Sequence, residues 1–328
     1  MKPSILVTGG AGFIGSHMVK TLLDAGFGVV VLDNLCAGHR DAVLGGTFVE
    51  GDIADLGLVG SVLERHRISA VMHFASFIQV GESVSDPGKY YRNNLAHTVL
   101  LLEAMRGRGV KKLIFSSSAA VYGEPVQVPI PEAHPKVPLN PYGRSKWIVE
   151  QVLADYDRAG SLQSVSLRYF NAAGAHPSGL LGERHDPETH LIPLVLRAAS
   201  GAAPHIKVFG EDYDTPDGTC IRDYVHVVDL CEAHLLALES LLDGGQTAAY
   251  NLGNGNGFSV REVIAAAQRV TGREVPVVPA PRRGGDPARL VADSTLARSR
   301  LNWRPRYDDL ETIIEHAWAR EKTGHGAG

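Results

Sequence analysis

Short runs of apolar residues alternate with longer amphipathic stretches along the first half of the chain. The short runs predict strands, and the longer stretches, in which apolar positions recur every three or four residues, predict helices. The predicted strands are residues 5–8, 29–33, 47–50, 70–74, 112–116 and 164–168. The predicted helices are residues 17–25, 56–67, 91–108 and 142–159. This alternation predicts an α/β fold with a doubly wound parallel sheet.

The pattern changes near residue 170, beyond which glycine- and proline-rich loops separate isolated elements. We predict a helix at 191–199 and a strand at 207–209, while 225–242 looks like a helix that returns to the main sheet. The expected organisation is therefore one domain at 1–170 with a return segment near 225–245, and a smaller C-terminal α+β substrate domain made mostly of 171–328.

The composition places limits on partners and location. The 328 residues carry a net charge of -4, so no basic excess is present to bind nucleic acid or an anionic membrane surface. Cys36, Cys220 and Cys231 are far apart and lack metal-ligand spacing, so neither disulfides nor a metal site is predicted. No apolar run resembles a membrane span or a secretory signal, and we expect a cytoplasmic protein.

Three glycines, Gly9, Gly12 and Gly15, occupy the turn between the first predicted strand and the next helix. Glycine there lets the chain turn sharply and lets a dinucleotide pyrophosphate approach the helix N-terminus, where free N–H groups favour negative charge. Tight turns also use glycine for conformational reasons alone. The flanking strand and helix favour a Rossmann-type dinucleotide site.

An acidic residue, Asp33, ends the second predicted strand. A carboxylate there accepts hydrogen bonds from the adenosine ribose and repels a 2′-phosphate, which predicts NAD rather than NADP. An aspartate that only caps a turn is the alternative. Asp52 and Ile53, after the third strand, lie where an adenine pocket is expected.

A phenol and an ammonium, Tyr142 and Lys146, lie four residues apart on one face of a predicted helix. The pattern is common on helix surfaces, but a nearby positive charge lowers the pKa of a phenol, so Lys146 and an oxidised nicotinamide would favour Tyr142 as a base. Ser118, at the end of the fifth strand, can orient a substrate hydroxyl and share its proton. For Ser116 and Ser117, bonding to strand-end carbonyls is a credible alternative.

Taken together, these motifs resemble those of the extended short-chain dehydrogenase/reductase family, and later runs narrow the resemblance to the UDP-glucose 4-epimerases. Those runs are 168–174 and 217–227, with further matches at 80–84 and 301–303. The resemblance covers essentially residues 4–304. It implies an isomerase that interconverts UDP-galactose and UDP-glucose through a 4-keto intermediate, by reversible hydride transfer to tightly bound NAD. It also implies a homodimer formed through the helices at 91–108 and 142–159.

The resemblance further implies which residues contact each molecule. Ser118, Tyr142 and Lys146 would be catalytic. Cofactor contacts would come from Gly9, Gly12, Phe13, Ile14, Gly15, Asp33, Asn34, Asp52, Ile53, Phe74, Ala75, Asn93, Ser116, Tyr142, Lys146, Tyr169 and Phe170. Contacts with the UDP-hexose substrate would come from Ser118, Asn171, Leu191, Lys207, Phe209, Arg222, Tyr224, Arg283, Asp286 and Leu290. The arginines suit a diphosphate, because guanidinium donates paired hydrogen bonds to phosphate. A surface ion pair is the alternative role for each charged residue, and above all for Lys207.

This chain departs from the family pattern at three positions. Ile78 replaces a lysine of the best-known bacterial pattern, and His190 stands where asparagine is frequent. Leu290 occupies a size-selecting position beside the 2-substituent of the hexose, which is tyrosine in some members and small in others.

Other enzymes built on the same scaffold are the closest alternative. The dTDP-glucose 4,6-dehydratases and UDP-glucuronate decarboxylases carry an acid on the loop after the fifth strand, where this chain has Ala119 and Ala120. A UDP-glucuronate epimerase would need an extra cation near the sugar, which the sequence does not reveal. A catalytically silent NAD-binding protein is a further alternative, but the intact Ser118, Tyr142 and Lys146 disfavour it.

Overall fold

Seven parallel strands form the central sheet of the computed structural model, within the residues that the structure describes, 2–283 and 286–324. The strands are β1 (Ser4–Thr8), β2 (Gly28–Asp33), β3 (Thr47–Glu50), β4 (Ile68–His73), β5 (Lys112–Ser118), β6 (Gln163–Tyr169), β7 (Asn171–Ala173), β8 (Ile206–Phe209), β9 (Ile221–Arg222), β10 (Tyr224–His226), β11 (Ala248–Leu252), β12 (Phe258–Ser259), β13 (Val277–Ala280) and β14 (Arg289–Leu290). The helices are α1 (Phe13–Asp24), α2 (Leu56–Arg65), α3 (Val80–Ser85), α4 (Pro87–Tyr90), α5 (Thr98–Gly107), α6 (Pro141–Arg158), α7 (Leu191–Ser200), α8 (Val227–Leu242), α9 (Val260–Thr271), α10 (Thr295–Arg300) and α11 (Leu310–Gly324).

Across the central sheet the strands follow the order β3, β2, β1, β4, β5, β6 and β11. The winding therefore reverses between β1 and β4, which is the topology of Rossmann-type folds. The predicted Rossmann-type doubly wound parallel sheet is confirmed. A seventh strand, β11, is not apparent from the sequence; it pairs in parallel with β6 and follows α8.

Helices cover both faces of this sheet. Apolar residues of α1 and α8, such as Leu230, pack on one face, and those of α2, α5 and α6, such as Leu101, pack on the other. Trp303 is fully buried in the first of these cores, and its indole Nε1 donates to the carbonyl of Asp229 at 2.9 Å. The run at 301–303 is therefore part of the core.

Three predicted helix boundaries are wrong. Val225 lies on β10, which pairs with β7, and the helix begins at Val227; a short buried apolar run does not distinguish a strand from a helical turn. Residues Tyr91–His97 form a π-helical segment before α5. The helix after the glycine turn begins at Phe13, before the apolar periodicity becomes visible.

Helices α7, α9 and α11, all after β6, build a second core that contains Ile192, Ile264 and Ile313. Small sheets accompany it: β7 with β10, β8 with β13, and β9 between β12 and β14. The division into two domains at residue 170 stays a prediction. Within residues 2–283 and 286–324, none of the helices combines the length and apolar character needed to cross a bilayer.

Candidate active site

A cleft of about 1720 Å³ opens at the carboxyl ends of the central strands and extends to the C-terminal elements. Its walls include residues that directly follow or end β1, β2, β4, β5 and β6. Every residue assigned above to the catalytic, cofactor and substrate sets lines this cleft, from Gly9 to Leu290. The fold therefore brings the three sets together, and the role of each residue within them remains a proposal.

The glycine turn forms a tightly packed cradle at one end of the cleft. Gly9 has a positive φ of 73°, and a Cβ there would lie 2.6 Å from the backbone nitrogen of Ala75. A Cβ on Gly15 would lie 2.1 Å from the carbonyl oxygen of Gly9. Gly12 precedes α1 and provides no capping side chain, so the N–H groups of the first turn have no side-chain acceptor at the N-cap. This arrangement fits a dinucleotide pyrophosphate.

The carboxylate of Asp33 caps the turn and also lies in the cleft, so its ribose-binding role stays a prediction. It accepts hydrogen bonds from the backbone nitrogens of Ala11 at 2.9 Å and Leu35 at 2.8 Å, so it holds the turn, and it also lines the cleft. Asn34 donates to Asp52 at 2.8 Å, which links two of the predicted cofactor contacts. A fixed, negatively charged acceptor at this place fits a ribose diol and disfavours a phosphate.

Lys146 and Tyr142 are both buried where α6 begins. Asn140 caps this helix by accepting from the backbone nitrogen of Gly143 at 2.8 Å, so the helix start is fixed. Lys146 donates from Nζ to the Ser76 hydroxyl and to the Ser116 carbonyl, each at 2.8 Å. Its Nζ lies 5.9 Å from the centre of the Tyr142 ring.

Burial sets the pKa values of this pair. It raises the pKa of Tyr142, while a hydrogen bond with Ser118 acts in the opposite direction. Burial also lowers the pKa of Lys146 to about 7, against the influence of Glu150. The protein's own groups thus leave Tyr142 protonated at neutral pH. Burial is therefore the largest influence on the pKa of Tyr142, and the expectation that Lys146 and an oxidised nicotinamide together favour its phenolate stays a prediction.

The three serines that end β5 have different surroundings. The Ser116 hydroxyl is hydrogen-bonded to the Tyr169 phenol, and Ser118 accepts from the backbone nitrogen of Ala120 at 3.2 Å. The Ser117 hydroxyl points to the opposite side of the strand and donates to Glu150 at 2.5 Å. Ser117 therefore has a structural role, whereas Ser116 and Ser118 face the cleft.

A buried ion pair lies beneath the candidate catalytic residues. Arg168 of β6 and Glu150 of α6 approach to 2.5 Å, and each side chain is only 5% exposed. Arg168 also donates to the Tyr122 phenol at 2.9 Å. This network connects α6 to β5 and β6, and it is not predictable from any sequence motif.

The substrate set lies on the C-terminal side of the cleft. Arg222 donates to the carbonyls of Ile221 and Pro287, both at 2.8 Å, and lies 3.4 Å from the Asp286 carboxylate. The Arg283 guanidinium stacks on Phe209, 3.9 Å from the ring centre. Two cations are thus held close to the cleft with N–H groups that can donate to phosphate.

The remaining members of this set occupy defined positions on the same wall. Asn171 belongs to β7, Tyr224 is buried on β10, and Leu191 is the first residue of α7. Lys207 is exposed on β8 and makes no ion pair with any residue of the described chain, so the surface ion-pair alternative is not supported for it.

Leu290 connects the two sides of the cleft. It lies on β14, opposite Arg222 in the β9 register. Its side chain packs against a small core formed by Ala119, Val121, Tyr122 and Ile130, together with Trp147 and Phe170. The residue proposed to sense the size of the sugar is therefore next to the turn that follows Ser118.

Some cleft residues were missed by the sequence-based predictions. Lys89 lines the cleft near Ile78 and donates to Glu82 at 2.6 Å, so a cation is present close to the position where the family pattern has lysine. Tyr90 packs edge-on against Tyr142, with ring centres 6.4 Å apart. No spacing rule connects these residues to the motif residues, because their proximity depends on the path of α3 and α4.

A second missed group has a recognisable spacing, Glu-x-His-x-x-Glu-x-His, at residues 183–190. Glu183, His185, Glu188 and His190 each direct one potential ligand atom to a common point, and these atoms lie within 4.8 Å of one another. Burial disfavours the charged form of His185. The Glu183 and Glu188 carboxylates outweigh the effect of burial and raise the pKa of His185 to about 9. The sequence-based prediction of no metal site was based on the spacing of the cysteines and did not include the glutamates and histidines of residues 183–190.

The chain is similar to known proteins over nearly its whole length. Residues 5–253 match the NAD dependent epimerase/dehydratase family. The UDP-glucose 4-epimerase of Halalkalibacterium halodurans is 53% identical over 315 residues, which are 96% of this chain and 94% of that protein. The crystal structure of UDP-glucose 4-epimerase from Brucella ovis in complex with NAD has a TM-score of 0.94 at 52% identity, and the match covers 96% of this chain and 97% of that one. The structure from Bifidobacterium longum in complex with NAD+ and UDP has a TM-score of 0.94 at 39% identity, over 99% of this chain and 100% of that one.

Proposed function

This chain belongs to the NAD dependent epimerase/dehydratase family, and we propose that it is an NAD-dependent UDP-glucose 4-epimerase that interconverts UDP-galactose and UDP-glucose through a 4-keto intermediate. The relatives described above support this activity. The observation that carries the proposal is the cleft itself, where Ser118, Tyr142 and Lys146 lie between a glycine cradle and a pair of arginines.

When bound, NAD supplies the acceptor and donor of the C4 hydride and, in its oxidised form, a positive charge beside Tyr142 that favours the phenolate. Tyr142 removes the proton of the C4 hydroxyl and returns it after the sugar has presented its other face. Ser118 orients that hydroxyl and shares the proton. Lys146, which the Ser76 hydroxyl and the Ser116 carbonyl hold in place, would bind the cofactor ribose.

The nucleotide half of the substrate is held by the opposite wall. Arg222 and Arg283 bind the diphosphate, Asp286 accepts from the uridine ribose hydroxyls, and Phe209 packs against the uracil side of the site. The arginines are fixed before substrate arrives, because Arg222 is bonded to two carbonyls and Arg283 is stacked on Phe209. This fixation reduces the entropic cost of binding the nucleotide.

The structure disfavours the alternative chemistries on the same scaffold. The turn after β5 is a short 3₁₀ helix, Ala119–Val121, which presents Ala119 and Ala120 to the cleft. Neither residue can serve as the acid that an elimination or decarboxylation requires. We therefore favour epimerisation over dehydration.

The proposal is tested by incubating the purified protein with UDP-galactose, without added cofactor, and separating the nucleotide sugars. We expect a mixture of UDP-galactose and UDP-glucose, and NAD recoverable from the denatured protein, because the hydride returns within each turnover. Stoichiometric consumption of added NAD with accumulation of an oxidised sugar would identify a dehydrogenase instead. A 6-deoxy product would identify a dehydratase.

We further propose a cytoplasmic homodimer. The resemblance supports the dimer, with α5 and its preceding π-helical segment packed beside α6 as the helices that would pair across the interface. Light scattering of the purified protein is expected to give twice the chain mass. A monomer mass at assay concentrations would contradict this assembly.

A further inference from the structure

Four side chains of the 183–190 segment converge on one wall of the cleft. Glu183 Oε1 lies 3.1 Å from His185 Nδ1 and also contacts His190 Nδ1. His185 Nδ1 lies 3.6 Å from Glu188 Oε2, and His190 Nδ1 lies 3.9 Å from Glu188 Oε1. The carboxylates are deeply buried, since the side chains of Glu183 and Glu188 are 6% and 1% exposed.

Two of these atoms have only ion-pair neighbours. Within the described residues, Glu188 Oε2 and His185 Nδ1 lie 3.6 Å apart but make no hydrogen bond. Glu188 Oε1, in contrast, accepts from the backbone nitrogens of Thr189 at 2.7 Å and His190 at 2.9 Å. The backbone thus fixes one oxygen of Glu188 and directs the other into the cluster. An unsatisfied buried carboxylate oxygen costs free energy unless a cation or donor occupies the place it faces.

The spacing of the four groups matches that of a small metal site. Zinc bonds to imidazole nitrogen and carboxylate oxygen at about 2.0–2.2 Å, so neighbouring ligand atoms of a tetrahedral site are about 3.4 Å apart. Three of the separations, 3.1, 3.6 and 3.9 Å, lie on both sides of this value, and all four ligand atoms lie within 4.8 Å of one another. The Glu183–His190 contact is closer, so this pair would have to move apart to bind a shared ion. Two imidazoles and two carboxylates suit a divalent transition metal better than magnesium, which prefers oxygen ligands and water.

We propose that Glu183, His185, Glu188 and His190 form a binding site for a divalent transition metal ion of the zinc type. Four protein ligands complete a tetrahedral shell, so the site is structural and leaves no position for a reacting water. Metal binding replaces the protons that otherwise bridge the imidazoles and carboxylates. The ion would fix the 183–190 segment immediately before α7, whose first residue, Leu191, lines the substrate side of the cleft.

The neighbouring residues show why fixing this segment matters to the cleft. The Arg184 guanidinium is paired with Asp41 at 3.0 Å, and the Arg184 carbonyl lies 3.2 Å from His39 Nε2. Asp41 and His39 belong to the loop after β2, on the cofactor side. The segment therefore spans from the cofactor wall to the substrate wall, and a metal at its centre would stabilise this connection.

The test uses the untagged full-length protein after dialysis against a chelator. We expect calorimetric titration with Zn²⁺ to show one ion bound per chain, and the thermal unfolding midpoint to rise on Zn²⁺ addition. Co²⁺ should give the visible absorption bands of a tetrahedral nitrogen and oxygen site. Mg²⁺ at the same concentration should produce neither effect.

Variants locate the ion. Glu188→Gln and His190→Ala should each weaken Zn²⁺ binding by more than about 10-fold, a loss that even the outer partners of metal ligands can cause. His190 has a side chain that is 39% exposed, so His190→Ala keeps the test valid if Glu188→Gln fails to fold. The matched control is Glu64→Gln with His66→Ala; neither residue lines the cleft, and binding should be unchanged.

Two results would overturn the proposal. The first is the absence of stoichiometric Zn²⁺ binding to the wild-type protein, which would leave the cluster as an ion-pair network of imidazolium and carboxylate groups. The second is unchanged Zn²⁺ affinity in both variants, which would place the ion elsewhere. Neither result depends on epimerase activity, so the metal site and the proposed function fail or stand separately.

Discussion

Removing one member of the buried ion pair beneath the active site should strongly destabilise the fold. In Glu150→Met, Arg168 would keep only the Tyr122 phenol at 2.9 Å and the Glu132 carbonyl at 3.3 Å as partners. A buried charge deprived of its counter-ion costs about 3–5 kcal/mol. The Ser117 hydroxyl, which donates to Glu150, would also lose its acceptor. We therefore expect the free energy of unfolding to fall by about 3–5 kcal/mol.

The double variant Glu150→Met/Arg168→Met gives a sharper result. Replacing a whole buried pair with apolar side chains is often close to neutral, because the cost of desolvating both charges disappears with the pair. Tyr122 would still donate to Asn251 at 2.6 Å. The main buried group left without a hydrogen-bond partner is then the Ser117 hydroxyl, which costs about 1–3 kcal/mol of stability. The double variant should thus be more stable than the single one.

Urea unfolding, followed by tryptophan fluorescence, measures these differences as shifts of the transition midpoint. Asp155→Asn is the matched control, since its partner Arg158 is exposed and the pair should contribute less than about 1 kcal/mol. A second readout is turnover, because Glu150 opposes the lowering of the Lys146 pKa. Equal stability of wild type and Glu150→Met, or a double variant no more stable than Glu150→Met, would refute the reasoning.

Four further outcomes are expected. Tyr142→Phe should lower turnover by about 10²–10⁴-fold while bound NAD is retained, and near-normal turnover would exclude Tyr142 as the base. Asp33→Ser should allow NADP to reconstitute the protein, whereas equal reconstitution of the wild type by NAD and NADP would contradict the ribose contact. Leu290→Ser should raise, and Leu290→Tyr should lower, the turnover of UDP-N-acetylglucosamine relative to UDP-glucose. The change in this ratio should stay within the ~1–3 kcal/mol that pocket volume provides, and an unchanged ratio would show that Leu290 does not sense sugar size. Burial lowers the pKa of His73 to about 3, so between about pH 6.5 and pH 3 only the unfolded chain binds this proton. His73 alone should therefore account for roughly 1 kcal/mol of the stability lost when the pH falls from 7 to 5.5, and His73→Gln should lose about that much less than the wild type in urea unfolding at the two pH values.

The part of the site that follows strand ends could be predicted from the sequence. Gly9, Asp33 and Ser118 each end or follow a strand of the parallel sheet, and the carboxyl ends of such strands share one edge. Once the strands are placed in the sheet, the residues that follow them in the sequence must lie close together. Local pattern therefore determines both the fold class and this side of the cleft.

Residues whose role depends on another element could not be found in this way. Glu150 reads as an ordinary helix carboxylate until Arg168 of β6 is placed against it. β11 has three half-buried residues among its five and little apolar alternation, so its assignment depends on pairing with β6. The direction in which the Tyr142 pKa shifts likewise depends on burial, and the spacing of tyrosine and lysine in the sequence does not show burial.

The nucleotide end and the sugar end of the proposed substrate site differ. This difference suits a reaction in which the sugar must present both faces of one carbon. We propose that the nucleotide end is rigid, because Arg222 is tied to the carbonyls of Ile221 and Pro287 before any ligand binds. On the proposed sugar side, the described lining of the cleft includes Ala119, Ala120, Phe170 and Leu290, whose side chains donate no hydrogen bonds. A 4-keto sugar released there has few polar contacts to break when it turns about its diphosphate link. A charged or amide side chain introduced on this lining would hold one face of the sugar, and it would then slow epimerisation without weakening nucleotide binding.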